Sequence, residues 1–259
     1  MRILAIDSSG LVATVAVAEA DETANARTVA EYTINYKKTH SQTLLPMLDE
    51  IVKMTDMDLD SIDAIAVAGG PGSFTGLRIG SATAKGLGLA LQKPLIHIPT
   101  VDALAYNLCY TDKLVCPIMD ARRNQVYTGI YELDGDVLKV LEPQMAVGIG
   151  ELAEKLRAYG REVVFLGDGV PVHREKLEKE LLAGSRIYFA PAHLNHQRAA
   201  AVAALGMQYL RDGRTETAAE HKPDYLRVSQ AERERAERLQ AEREAAADEA
   251  SGKAPDGAH

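Results

Sequence analysis

The stretch Gly69-Gly70-Pro71-Gly72-Ser73-Phe74-Thr75-Gly76-Leu77-Arg78-Ile79-Gly80 follows the apolar run Ala64-Ile65-Ala66-Val67-Ala68 and leads into Ser81 to Leu91. The apolar run reads as a buried strand, and Thr75 to Leu91 reads as a helix. A glycine-rich turn between them marks an α/β unit and lets the backbone approach something closely. A phosphate, another protein, or the chain's own core in a tight turn each fits. A Walker-type phosphate loop does not, because the Gly-Lys-Ser/Thr ending is missing and Lys85 lies well into the helix. Phe74, Leu77 and Ile79 are apolar where a phosphate cradle needs small side chains, so an apolar wedge flanked by Arg78 favours a protein contact over a phosphate. The helix carries Gly76, Gly80, Gly86 and Gly88 among alanines. Each costs roughly 1 kcal/mol against alanine, so close backbone packing on the helix is expected.

Outward from this unit, Arg2 to Asp7, Val12 to Ala18 and Thr28 to Asn35 read as three antiparallel strands in a meander. Ser41 opens a helix with Leu44, Leu45, Leu48, Ile51 and Val52 at helical spacing, and Pro46 is early enough to be tolerated. Pro94 to Ile98 is a strand, and Val101 to Cys109 a helix. A second strand group follows at Leu114–Met119, Gln125–Glu132 and Val137–Val147. Next come a helix Ile149–Tyr159, a strand Val163–Leu166, a turn Gly167-Asp168-Gly169, a helix Val172–Leu182, a strand Arg186–Phe189 and a helix His196–Arg211. The same order of elements thus occurs twice, which predicts an α/β protein of two related lobes, residues 1–99 and 100–228. The last segment of the second lobe has the option of packing back on the first. Residues 229–259 form a tail in which Glu232 to Glu244 alternates charge. Glu234 and Arg238 are spaced to pair, Leu239 is the lone large apolar residue, and no coiled-coil seam exists.

The 259 residues supply ample core, and the net charge of −8 offers no general pull toward nucleic acid. Asp7 interrupts the first apolar run too early for a signal peptide, and no stretch is apolar enough to span a bilayer, so a cytoplasmic protein without membrane contact is expected. Cys109 and Cys116 have neither redox nor zinc spacing and read as reduced thiols.

The remaining chemistry is sparse. Asp7-Ser8-Ser9 at a strand end before a hairpin has the form of a phosphate-binding hairpin with a metal-anchoring acid. Gly167-Asp168-Gly169 has the form of a second phosphate loop; each is equally a plain turn. Asp120-Ala121-Arg122-Arg123 reads as an anion site or, more simply, a charged turn. His40 and His97 stand alone, and His193 with His196 lacks a nearby acid, so no metal site is expected. No Ser/His/Asp or Cys/His arrangement has supporting context, so no catalytic residue is assigned.

Ile3 to Ser9, His40-Ser41, Gly70 to Gly80, Met119 to Arg123 before Val126-Tyr127, and Pro223-Asp224-Tyr225-Leu226-Arg227, in this order, resemble the bacterial TsaB (YeaZ) family over residues 1 to about 228. The resemblance implies a two-lobed actin-like/sugar-kinase-like (ASKHA) α/β fold, each lobe a mixed sheet flanked by helices. It implies a non-catalytic activating or scaffold subunit of the complex that places threonylcarbamoyl on adenosine beside the anticodon of tRNAs reading A-starting codons. It implies a TsaD-type transferase and a TsaE-type ATPase as partners, a homodimer when alone, and only indirect contact with tRNA. TsaD-type transferases hold a metal with a His-x-x-x-His pair in the helix after the first lobe; here Thr100 to Asn107 has no histidine.

On this reading Asp7, Ser8 and Ser9 are a vestigial nucleotide-binding hairpin. No cofactor is tightly bound, and ATP or ADP enters only within the complex. The family's docking face would comprise Ser41, Leu44, Leu48, Phe74, Thr75, Leu77, Arg78, Gly80 and Ala84, so Gly80→Trp or Leu77→Asp is expected to weaken the complex with the lobe still folded. The alternative is an active ATP-dependent kinase or peptidase-like hydrolase of the same fold.

Overall fold

The computed structural model describes residues 1–21, 25–36 and 38–227, and the charged tail from 229 lies outside the described residues. Residues 1–226 make one compact unit. Its first sheet has the order β3-β2-β1-β4-β5, with β1 Arg2–Asp7, β2 Ala13–Ala20, β3 Ala26–Ile34, β4 Ala64–Gly70 and β5 Leu95–Pro99. β1 is antiparallel to β2 and parallel to β4, and β4 is parallel to β5. The second sheet, β10-β9-β6-β7-β8, repeats that order with β6 Leu114–Asp120, β7 Gln125–Asp134, β8 Val137–Gly148, β9 Val163–Leu166 and β10 Ile187–Phe189. Again the first three strands are an antiparallel meander and the last two run parallel to the first. This duplicated order is the two-lobed actin-like/sugar-kinase-like class, and the chain passes from one sheet to the other at Pro99-Thr100.

β1 is apolar on both faces because both faces are covered. Leu4 and Ile6 pack with Leu44, Met47, Leu48 and Ile51 of α1 (His40–Met54) and with Ala84 of α2 (Phe74–Leu91). Ile3 and Ala5 face the other way, onto Ala199, Val202, Ala203 and Leu205 of α6 (Ala199–Arg211). That second face is built from Ala16, Ala18, Ala64, Ala66 and Ala68. Small side chains let α6 approach so closely that a Cβ on Gly206 would stand 2.9 Å from the Ala66 Cβ. The second sheet is covered by α4 (Ile149–Tyr159) and α5 (Val170–Lys176) on one face and by α3 (Thr100–Ala105) on the other.

Several boundaries differ from the sequence reading for identifiable reasons. α6 begins at Ala199, not His196, because Arg198 has an extended backbone and serves as the N-cap. There Arg198 Nε donates to Glu31 Oε2 at 3.1 Å, and Glu31 and Thr14 cap the helix by accepting from the Ala200 and Ala199 amides. α3 stops at Ala105 and relaxes into a 3-10 turn, Tyr106–Leu108. α5 begins at Val170, where Pro171 fits the first turn, and passes into a π turn at Leu177–Leu181. Both cysteines are free thiols, Cys116 buried and Cys109 half-buried. Among the described residues, no helix is long and apolar enough to cross a membrane.

Candidate functional site

The hairpin after β1 and the glycine-rich turn after β4 lie against each other. The Asp7 carboxylate accepts from the Ser9 amide (2.8 Å) and hydroxyl (2.6 Å). The Ser8 hydroxyl donates to the Gly76 carbonyl at 2.9 Å, and the Ser73 amide donates to the Ser9 carbonyl at 2.6 Å. His40, at the start of α1, bonds through Nε2 to the Gly10 carbonyl at 2.9 Å. A Cβ on Gly72 would overlap the Ser9 carbonyl, one on Gly76 the Ser8 carbonyl, and one on Gly80 would stand 2.5 Å from the Ser8 hydroxyl. The question posed by the glycines is therefore answered inside the molecule. Gly72, Gly76 and Gly80 admit the chain's own hairpin, and Ser73 caps α2 by accepting from the Gly76 amide.

Asp7, Ser8 and Ser9 are all buried. A phosphate on their hydroxyls would have to break the Ser8–Gly76 and Ser9–Asp7 bonds. The second candidate loop is equally engaged. The Gly167 amide donates to Asn195, the Gly169 amide to the Ile118 carbonyl, and Asp168 accepts from the Asp120 amide. The serine hydroxyls and loop amides named here are thus engaged within the chain, while Asp7 Oδ2 is buried without a hydrogen-bond partner.

Burial lifts the Asp7 carboxyl from the usual 3.8 to about 6, with the Ser9 bonds and His40 acting in the opposite direction. A carboxyl raised on folding stabilises the fold while it is protonated. The contribution is complete below the unfolded value and is lost as pH rises through about 6. Relative to an Asp7→Asn variant, the wild type should lose on the order of 2–3 kcal/mol of unfolding free energy between pH 4 and pH 7. Urea unfolding of both proteins across that range measures the difference; parallel curves would contradict the assignment.

The expected docking residues divide. Ser41, Thr75 and Arg78 are exposed. Leu44, Leu48, Leu77 and Ala84 are buried in the lobe core, and Gly80 lies over Ser8, so none of these five is presented to a partner. Accordingly Gly80→Trp and Leu77→Asp test the fold, not the docking. Phe74 is half-buried and already seated: the Tyr225 ring lies 4.6 Å from it, the Arg78 guanidinium 3.9 Å above it, and Arg78 Nε donates to the Tyr225 hydroxyl at 3.4 Å. The wedge thus meets the chain's own closing segment, which also docks by the Asp224 amide donating to the Gly69 carbonyl at 2.7 Å.

The outward face of α1 and α2 carries residues the sequence reading passed over. Leu45 is 58% exposed and Leu89 70% exposed, beside exposed Ala82, Gly86 and Ala90. A Cβ on Gly86 would meet nothing within 4 Å. For Leu89 the signal was its place between the inward Leu87 and Leu91. α3 holds no histidine. Its ionisable side chain, Asp102, accepts a 2.8 Å hydrogen bond from the Tyr131 hydroxyl. Burial raises both groups, and the bond ties α3 to β7. Asp120 to Asn124 is a tight turn, with Arg122, Arg123 and Asn124 all in left-handed conformation.

A two-lobed fold of this order, with a hairpin closed by a glycine-rich helix start, places the chain in a defined class. Residues 27–235 match the family model described as TsaD, tRNA N6-adenosine threonylcarbamoyltransferase. The TsaB protein of Bacillus subtilis, described as a tRNA threonylcarbamoyladenosine biosynthesis protein, is 35% identical over 90% of this chain and 96% of its own length. The Escherichia coli TsaB is 30% identical over 89% of this chain and 96% of its own. The solved structure of YeaZ from Pseudomonas aeruginosa superposes with a TM-score of 0.71 at 25% identity, covering 87% of this chain and 99% of that one. The chain belongs to the TsaB (YeaZ) family.

Proposed function

We propose that this chain serves tRNA threonylcarbamoyladenosine biosynthesis as a non-catalytic activating subunit, docking a TsaD-type transferase through the outward face of α1 and α2. The observation that carries the reading is the exposed, uncharged surface of Leu45, Ala82, Gly86, Leu89 and Ala90 on a lobe whose own core is complete. Small residues on that face let a partner helix approach closely, and leucines supply apolar area to bury. The lack of catalysis is supported by α3, which offers Asp102 in a buried hydrogen bond and no metal ligand pair. The spent hydroxyls of Ser8 and Ser9 support placing any nucleotide in the assembly and not on this chain alone. On this reading the protein is cytoplasmic, a TsaE-type ATPase joins the pair, the same face pairs with a second copy when the transferase is absent, and tRNA is held mainly by the partner.

Reconstitution with threonylcarbamoyl-adenylate and unmodified tRNA tests the role. The transferase with this chain is expected to modify tRNA, while this chain alone gives no product. Product formed by this chain alone would overturn the non-catalytic reading, and equal product with and without it would overturn activation.

A further inference from the structure

The segment after α6 returns along the first sheet. Leu95 and Glu216 exchange backbone hydrogen bonds in an antiparallel bridge, which sets Glu216 beside β5 and brings His221 over His97. The two imidazole rings lie 5.6 Å apart, and His97, Glu216 and His221 each offer one ligand atom within 4.8 Å of the others. His97 therefore does not stand alone; its partners are simply far away in the sequence. Its place is built into the sheet, since a Cβ on Gly69 would overlap the His97 ring.

His221 has no solvent exposure. Its Nδ1 lies 2.5 Å from Glu216 Oε1, so the two atoms share one proton that a cation seated between the side chains would displace. The His221 Nε2 is buried without a hydrogen-bond partner, and so is Nε2 of His97. Asp224 Oδ2 lies 3.3 Å from His97 Nε2 but is not aligned for a hydrogen bond. Lys85, the nearby cation, is engaged in donating to the His221 carbonyl at 2.9 Å. Two imidazoles with buried nitrogens that lack a hydrogen-bond partner, beside the Glu216 carboxylate, form a ligand set without a ligand.

We propose that His97, Glu216 and His221 bind one divalent late-transition-metal ion, Zn²⁺ by ligand chemistry. The ion fastens the segment from Glu216 to Tyr225 to the first sheet. Mixed nitrogen and oxygen donors suit Zn²⁺, whereas Ca²⁺ and Mg²⁺ need all-oxygen shells. Bonds of about 2.0–2.1 Å put tetrahedral ligand atoms roughly 3.3 Å apart, so side-chain rotations that close the 4.8 Å spread by about 1.5 Å complete the site. The site is separate from α3, and it acts on Tyr225, hence on the Phe74 and Arg78 seat beside it.

The test uses the full chain freed of metal by chelator and then freed of chelator. Co²⁺ titration should give tetrahedral ligand-field bands saturating at one equivalent. Zn²⁺ should abolish them and raise Tm. His97→Gln should weaken binding by more than the roughly 10–100-fold that loss of a supporting partner costs, without changing the metal-free Tm. Because a histidine variant can fail to fold, imidazole nitrogen NMR of the wild type decides independently: Zn²⁺ should shift a ring nitrogen of both His97 and His221. Absence of bands and Tm shift at millimolar metal would overturn the proposal. So would binding that His97→Gln leaves intact, or resonances of the two rings that stay fixed.

Discussion

Leu77→Asp should leave no folded first lobe under conditions where the wild type is native. Leu77 is 1% exposed, on the face of α2 turned into the lobe. Removing a buried leucine side chain costs about 2–5 kcal/mol by itself. The aspartate adds an unpaired buried charge, so a total of roughly 5 kcal/mol or more is expected. That is comparable with the whole stability of a typical domain, about 5–15 kcal/mol. Gly76→Val should act as severely for a different reason. Its Cβ would overlap the Ser8 carbonyl, and both obstacles are backbone, so the clash exceeds the about 1–3 kcal/mol of ordinary overpacking. Circular dichroism melts and urea titrations measure both effects. A Leu77→Asp protein with wild-type Tm would mean that this face of α2 is open, contrary to the packing described.

Leu89→Asp should do the opposite: leave stability nearly unchanged and abolish partner binding. Leu89 is 70% exposed, and substitutions at such positions usually stay within about 0.5 kcal/mol. In a complex formed across the outward face of α1 and α2, the carboxylate would be desolvated without a partner. That costs about 2–4 kcal/mol, roughly 30- to 700-fold in Kd for the transferase. Gly86→Trp should behave similarly, because a side chain there enters open space on the free chain but fills the gap a partner helix needs. Calorimetric titration of each variant against a TsaD-type transferase, with Tm measured beside it, separates docking from folding. Wild-type affinity in both variants would move the docking face elsewhere.

The duplicated order of elements was legible from periodicity because each lobe buries a near-continuous apolar central strand and amphipathic helices. β1 is the clearest case, alternating Ile3 and Ala5 toward α6 with Leu4 and Ile6 toward α1 and α2. Less legible was which side of a helix a given apolar residue occupies. Leu44 and Leu48 fell at helical spacing and form the core, but Leu45, read at the same spacing, faces outward, and Leu77 and Ala84, expected on a docking face, are buried. The glycines of the turn were conspicuous, but their reason is a contact with Ser8 and Ser9 from the opening hairpin, a pairing that local sequence cannot show. Long separation also hid the contacts of the closing segment. Phe74 with Tyr225, Gly69 with Asp224 and His97 with His221 are brought together only when the chain returns along β5. The motif at 223–227 and the glycine-rich turn are thus two halves of one contact.

Amide hydrogen exchange of this chain, free and mixed with a TsaD-type transferase, tests the docking claim most directly. Protection gained on α1 and α2, concentrated at the turns carrying Leu45, Ala82, Gly86 and Leu89, is the predicted result. A complex that forms while those helices exchange as in the free protein, with protection instead on the β7–β8 hairpin or α4, would contradict it.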